Sequence, residues 1–75
     1  MSYTLSDLLP GQKAVVLELS HRGSMRRRLL DLGLVEGTTV ECVGKGPAGD
    51  PSAYRIRGAV IALRAQDGKQ ISVQL

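Results

Sequence analysis

Apolar and polar residues follow a clear helical period only in residues 25–37, MRRRLLDLGLVEG. Met25, Leu29 and Leu32 recur there at i, i+4 and i+7, and this spacing places them on one face of a helix. Three consecutive arginines fill the positions between the first two of these apolar residues. The pattern predicts one amphipathic helix whose apolar face covers the rest of the fold.

Residues on both sides of this stretch are typical of helix ends. Ser24 can cap the first turn, because its hydroxyl can accept a hydrogen bond from a backbone N–H that has no helical partner. Gly33 suits the left-handed conformation at which many helices end, and Leu34 after it is expected to fold back towards Leu29. Residues 35–37 then predict a turn that leads the chain into a strand.

The other apolar residues follow the two-residue period of half-buried strands. Five strands are predicted, over residues 13–20, 38–43, 52–57, 59–64 and 70–75. Their inward-facing residues are expected to be Val15, Leu17, Leu19, Val40, Cys42, Tyr54, Ile56, Ile71, Val73 and Leu75. Gly58 marks a bend or bulge, and Asp67-Gly68 predicts a hairpin turn before the last strand. Thr4 and Asp7 have the spacing of a capping box, which predicts a capped turn near the start of the chain.

Five short strands and one inserted helix indicate a mainly β fold with one or two short helices. The helix falls between the first and second strands. Residues 44–51 predict a loop, because they include three glycines and two prolines. Strands this short suit a strongly bent antiparallel sheet that closes into a small barrel, and closure removes exposed edges. Residues 1–75 are expected to form one domain, since this length leaves no room for a second.

Composition excludes several classes of protein. The net charge of +3 is mild and requires neither nucleic acid nor another acidic partner. A single cysteine and the absence of a signal-peptide pattern at the start of the chain favour a reducing cytoplasm. The longest uninterrupted apolar run is five residues, 59–63, far below the roughly 20 that span a bilayer.

The candidate catalytic residues do not form a recognisable set. Cys42 lies on the apolar face of a predicted strand, where a small buried residue is expected rather than a reactive thiol. His21 lies in a polar loop and is expected to be exposed. Residues 44–50, GKGPAGD, contain glycines and a lysine but lack the GK[ST] ending of a phosphate-binding loop. No catalytic or cofactor-binding residue is therefore assigned, and the protein is not expected to be an enzyme.

Metal binding and nucleic-acid binding have weak support in the sequence. A ferrous site commonly uses two histidines and a carboxylate, or thiolates. The candidate donors come from separate elements and are His21, Cys42, Glu18, Glu41 and Asp50. Tyr3 and Tyr54 are the only aromatic residues, so a groove for single strands would lack stacking platforms. No metal ligand is assigned, and nucleic acid is not the expected partner.

The basic cluster in and before the helix favours protein binding instead. Its members fall within seven residues and are Arg22, Arg26, Arg27 and Arg28. Leu30 lies about 140° from Met25 around the helix, on the polar face. It is either covered by a neighbouring loop or an apolar anchor ringed by arginines, a composition common at interfaces. Arg27 can pair with Asp31 at i, i+4.

The order of these segments resembles the FeoA family, small proteins of the bacterial ferrous-iron uptake system. The matching segments are LSDLLPGQKAVV (residues 5–16), RRRLLDLGLVEG (26–37), GDP (49–51), IRGAVIALR (56–64) and ISV (71–73). The resemblance implies an SH3-like small β-barrel. It also implies a cytoplasmic accessory role with FeoB, a membrane transporter with a cytosolic GTPase domain that could recruit the protein to the inner face of the membrane.

On this basis a partner-binding surface is expected on the helix, its arginines and the glycine-rich loop. The residues assigned to it are Arg22, Arg26, Arg27, Arg28, Leu30, Leu34 and Asp50. One of the arginines could also act in trans on the transporter's GTPase, where it would stabilise charge on the transferring phosphoryl group. The alternative function is a small metal-sensing or nucleic-acid-binding barrel. Weak self-association, direct iron binding and the sign of any effect on GTP hydrolysis stay open.

Overall fold

The computed structural model describes residues 2–75 and contains six strands and two α-helices in that range. In chain order these are β1 (Tyr3–Thr4), β2 (Lys13–Leu19), α1 (Gly23–Asp31), β3 (Thr39–Lys45), β4 (Ser52–Ile56), β5 (Ala59–Leu63), α2 (Ala65–Gly68) and β6 (Ile71–Gln74). Two 3₁₀ turns, Leu5–Asp7 and Pro47–Gly49, follow β1 and β3. The five predicted strands correspond to β2–β6, and β1 is an additional short strand.

The strands form one antiparallel sheet in the order β1-β6-β2-β3-β4-β5. The predicted mainly β fold, with a helix between the first two long strands, is correct. The predicted closure into a barrel is wrong, because no ladder within residues 2–75 joins β1 to β5. β1 is two residues long and pairs with β6, so β5 is left as an edge of the sheet.

β2 buries only one of the three residues that its alternation predicted to face inward. Val16 is fully buried, while Val15 and Leu17 are 37% and 44% exposed. The pairing of β2 with β6 shifts between Val16 and Glu18, and this β-bulge turns Leu19 inward, as predicted. The prediction for Val15 and Leu17 is wrong because both faces of this part of the strand are apolar, so alternation could not choose between them.

α1 begins one residue before the predicted cap. The helix starts at Gly23, and Arg22 is its N-cap residue. Ser24 therefore lies inside the first turn, and the predicted serine cap is wrong. Gly23 has a φ of 67°, so the turn into the helix occurs at a residue that adopts this conformation without steric cost.

The other end of α1 is largely as predicted. Gly33 has a φ of 108°, and the N–H of Leu34 donates to the carbonyl oxygen of Leu29 at 3.1 Å. Leu29 is buried and Met25 packs against the core, but Leu32 is 40% exposed, so its predicted inward position is wrong. No helix within the described residues has the length and apolar composition needed to cross a membrane.

The connection between β5 and β6 is helical rather than a hairpin. Asp67 and Gly68 belong to α2, and β2, β3 and β4 lie between β5 and β6 in the sheet. The predicted hairpin at this point is wrong because the two strands do not pair. The tight hairpin joins β4 to β5 instead, at Arg57 and Gly58, whose φ values of 51° and 84° fit a type I′ turn.

The core lies against the inward face of the sheet and is covered by α1 and the Leu5–Asp7 turn. Most of the residues predicted to face inward on β3, β4 and β6 are buried, namely Val40, Cys42, Tyr54, Ile56, Ile71 and Val73. Leu75 lies beyond the end of β6 and is 56% exposed, so its predicted inward position is wrong. The predicted capped turn is confirmed, since the Thr4 N–H donates to Asp7 Oδ2 at 2.8 Å.

Tyr54 is the largest side chain that is fully buried in this core. Its hydroxyl donates to the carbonyl oxygen of Leu5 at 3.2 Å, which ties β4 to the turn at the start of the chain. Burial raises the pKa of the Tyr54 phenol, because the anion would lose its hydration there. The tyrosine therefore belongs to the core and is not a stacking platform at the surface.

Candidate protein-docking surface

The arginines of the basic cluster are all exposed, but they do not share one role. Arg22 is the N-cap residue of α1. Arg26 donates from Nη1 to the carbonyl oxygen of Leu19 at 2.8 Å. Because Leu19 is the last residue of β2, this hydrogen bond fastens α1 to the sheet.

Arg27 and Arg28 leave their guanidinium groups available at the surface. Neither forms an ion pair within the described range, and the predicted pair between Arg27 and Asp31 is therefore wrong. Exposed pairs of this kind contribute little, since water and salt screen the attraction and two long side chains must be ordered. Of the three consecutive arginines, these two are the ones that a partner could engage without breaking an internal bond.

Two leucines assigned to the docking surface are packed into the protein. Leu34 is fully buried and offers no surface to a partner, which corrects its assignment. Leu30 is half-buried and packs against the core, and its cover by a neighbouring loop stays a prediction. The exposed apolar residue at this end of the helix is Leu32, the C-cap residue. Its position directly before Gly33 is the sequence feature that could have indicated this exposure.

A cleft of about 380 Å³ lies between α1 on one side and β5 and α2 on the other. Its apolar lining consists of Met25, Leu29, Leu32, Ile61, Ala62 and Leu63. Three charged residues also line it: Arg28, Arg64 and Asp67. The sequence did not indicate this cleft, because its two walls are distant in the chain and meet only when the sheet is assembled.

Asp50 is engaged within the protein. Its Oδ1 accepts the backbone N–H of Ala65, the first residue of α2, at 2.9 Å. A carboxylate at this place satisfies a free N–H and interacts favourably with the helix dipole. The Asp50 side chain thus holds the glycine-rich loop against α2, and its part in partner binding stays a prediction.

His21 is buried, with 5% of its surface exposed, so its predicted exposure is wrong. α2 brings Asp67 beside it, and Asp67 Oδ1 lies 3.7 Å from Nε2. Within residues 2–75 neither ring nitrogen has a hydrogen-bond partner.

Cys42 is fully buried, as predicted. No group of three or more His, Cys, Asp or Glu side chains in this range is placed to hold a metal ion, so the five candidate donors are not brought together.

Comparison with known proteins covers almost the whole chain. The FeoA domain model matches residues 3–75. The Fe(2+) transport protein A/Fe(2+) transporter FeoB fusion protein of Porphyromonas gingivalis is 39% identical over 71 residues. That match covers 95% of this chain and 8% of the fusion protein, so the chain spans a small part of that relative.

Two solved structures of FeoA proteins have the same fold. FeoA of Chlorobium tepidum superimposes with a TM-score of 0.91 at 33% identity, over 97% of this chain and 70% of that one. FeoA of Stenotrophomonas maltophilia, solved in complex with zinc and described as an SH3 domain protein, gives 0.82 at 36% identity, over 96% and 89%. The predicted SH3-like fold is confirmed. The chain belongs to the FeoA domain family, which is associated with Fe²⁺ transport.

Proposed function

We propose that this protein is an accessory factor of Fe²⁺ uptake that acts by binding a FeoB-type membrane transporter. The observation that carries the proposal is the relative in which a sequence 39% identical to this chain is fused to FeoB. Fusion holds two modules at a high effective concentration, and that arrangement is useful when the two act on each other. A domain with the same fold is therefore expected to act on the transporter by binding it.

The exposed side of α1 supports this proposal. Arg27 and Arg28 are exposed and have no ion-pair partner in the described part of the chain, and Leu32 adds exposed apolar surface at the end of the same helix. Arginine beside a desolvated apolar residue is a frequent composition of energetically important contacts. The binding site on the transporter would be its cytosolic GTPase domain, and the protein would work at the cytoplasmic face of the membrane.

The first test is titration of the isotope-labelled protein with the purified cytosolic GTPase domain of its transporter, without nucleotide, with GDP and with a GTP analogue. We expect saturable binding that weakens at least tenfold in the Arg27→Ala/Arg28→Ala double variant. The matched control is Lys13→Ala/Lys69→Ala, because it also removes two positive charges, both from exposed positions outside α1. Absence of binding in every nucleotide state would refute the proposal for this domain.

A second measurement separates docking from participation in GTP hydrolysis. If the protein only docks, it contributes no catalytic group to GTP hydrolysis. A saturating amount of the Arg27→Lys variant should then change the GTP turnover of the transporter domain as much as a saturating amount of the wild type does. An arginine supplied in trans to the phosphoryl group would behave differently, since lysine does not reproduce the forked guanidinium. A large loss of turnover in Arg27→Lys or Arg28→Lys, with binding retained, would favour the arginine-finger alternative.

A further inference from the structure

β5 is an open edge of the sheet. It pairs with β4 along its whole length, from Ser52 opposite Leu63 to Ile56 opposite Ala59. In the part of the chain that the structure describes, no strand pairs with its other side. An edge strand presents backbone N–H and C=O groups to any extended chain, and proteins usually protect it with charges, prolines or a cover. The sequence of β5, AVIAL, contains neither a charge nor a proline.

The cleft beside α1 runs along this same edge. Ile61, Ala62 and Leu63 supply its wall on β5, and Leu29 and Leu32 contribute to the wall on α1. A volume of about 380 Å³ lies within the range of about 300–1,000 Å³ typical of ligand-binding pockets. An added strand would direct every second side chain into the cleft, because side chains alternate between the two faces of a strand.

The charges around the cleft select the kind of strand that fits. Arg28 lies on the helix side and Arg64 at the end of β5, and neither has an ion-pair partner within residues 2–75. The carboxylate of the lining, Asp67, already lies 3.7 Å from Nε2 of His21. The excess of positive charge favours an acidic occupant. It disfavours a second copy of this chain, since two β5 edges would bring the same arginines together.

We propose that β5 and the adjoining cleft bind an extended peptide segment that alternates apolar and acidic side chains, as an additional strand of the sheet. Its apolar side chains would enter the cleft, and its carboxylates would pair with Arg28 and Arg64. This strand-addition proposal rests on the proposed function in one respect only: the segment would come from a cytosolic region of the transporter. The chemistry of the site is tested without the transporter.

The test uses the isotope-labelled full chain and a synthetic peptide of seven residues that alternates glutamate and valine. We expect amide resonances of residues 59–63 to shift, with those of Leu29 and Leu32, and exchange of edge amides of β5 to slow. Binding should weaken at least fivefold in Arg28→Glu and in Arg64→Glu. Arg27→Glu is the matched control, because Arg27 lies on the same helix but does not line the cleft.

Two further peptides make the test decisive. A peptide methylated on alternate backbone nitrogens should not bind, because it cannot donate to the edge of β5. A peptide that alternates lysine and valine should bind at least fivefold more weakly. Equal binding of the methylated peptide would overturn strand addition, and equal binding of the lysine peptide would overturn the charge selection. The absence of shifts, or self-association through β5 without peptide, would refute the proposal.

The outcomes separate the two proposals. If the GTPase domain binds and the peptides do not, the docking function stands and the strand-addition site fails. If the glutamate peptide binds as expected and the GTPase domain does not, the site on β5 stands and a different partner must supply the segment.

Discussion

Arg26 donates a 2.8 Å hydrogen bond to the carbonyl oxygen of Leu19, and this contact separates one arginine of the basic cluster from its neighbours. The bond joins α1 to the last residue of β2, whereas Arg27 and Arg28 have no ion-pair partner within residues 2–75. Three adjacent arginines therefore divide into one that holds the helix in place and two that are available for binding.

We expect Arg26→Ala to lower the free energy of unfolding by about 1 kcal/mol, because a charged donor to a carbonyl oxygen is lost at a partly exposed site. Arg27→Ala is the matched control and should change stability by less than about 0.5 kcal/mol, as exposed substitutions usually do. Urea denaturation of both variants measures the difference. Equal stability of the two would show that the bond to Leu19 contributes nothing.

Replacing His21 by an apolar residue of similar volume is not expected to destabilise the protein. Both ring nitrogens are buried and have no hydrogen-bond partner among residues 2–75, and each such group costs about 1–3 kcal/mol of lost hydration. His21→Leu should therefore leave the free energy of unfolding unchanged or raise it, while His21→Ala should lower it by leaving a cavity. Thermal and urea unfolding measure both. A clear loss of stability in His21→Leu would indicate that the imidazole makes a favourable interaction, with Asp67 as the first candidate.

Gly68 lies in close contact with the first turn of the chain. A Cβ at this position would lie 2.5 Å from Ser6 Oγ and 3.3 Å from Ser6 N. Ser6 Oγ cannot move freely, since it donates to the carbonyl oxygen of Ala65 at 2.8 Å. Gly68→Ala should lower the free energy of unfolding by about 1–3 kcal/mol through overpacking.

The control for this variant is Gly44→Ala. A Cβ at Gly44 would meet nothing within 4 Å, and its φ lies outside the left-handed region. Its stability should match or slightly exceed that of the wild type. Combining Gly68→Ala with Ser6→Ala should restore part of the loss, because the closest contact disappears. No difference between the two glycine variants in urea denaturation would argue against a close contact at α2.

Tyr54 should make the protein less stable at alkaline pH. Burial raises the pKa of its phenol in the folded state, whereas the unfolded chain has the usual pKa of about 10. Between these two values the unfolded state loses its proton first, so the free energy of unfolding falls as the pH rises through this window. Below the unfolded pKa the contribution of the neutral phenol is fully present.

Tyr54→Phe isolates this effect. The variant should be less stable near neutral pH by about 0.5–1.5 kcal/mol, because the carbonyl oxygen of Leu5 loses one of its two hydrogen bonds and keeps only the one from the N–H of Leu8. Its stability should, however, decline less between about pH 8 and about pH 10.5 than that of the wild type. Urea denaturation at both pH values provides the comparison. Parallel declines would mean that Tyr54 does not cause the alkaline loss.

Features that depend on near neighbours in the chain could be predicted from the sequence. The left-handed Gly33, the return of Leu34 to Leu29 and the capped turn at Thr4 are local, because each satisfies backbone groups a few residues away. Strict alternation also identified buried residues on β3 and β4, such as Val40 and Tyr54, where only one face is apolar.

Contacts between distant segments settle which apolar residues are covered and where the charged residues meet. Val15 and Leu17 are exposed because pairing and a bulge set the direction of β2, and His21 is buried beside Asp67 on α2. The cleft and the open edge of β5 arise from segments distant in the chain, since strand order and helix placement are settled by packing of the whole molecule. Local periodicity contains no information about those contacts, and for that reason the surface proposed to bind a partner became visible only in the folded structure.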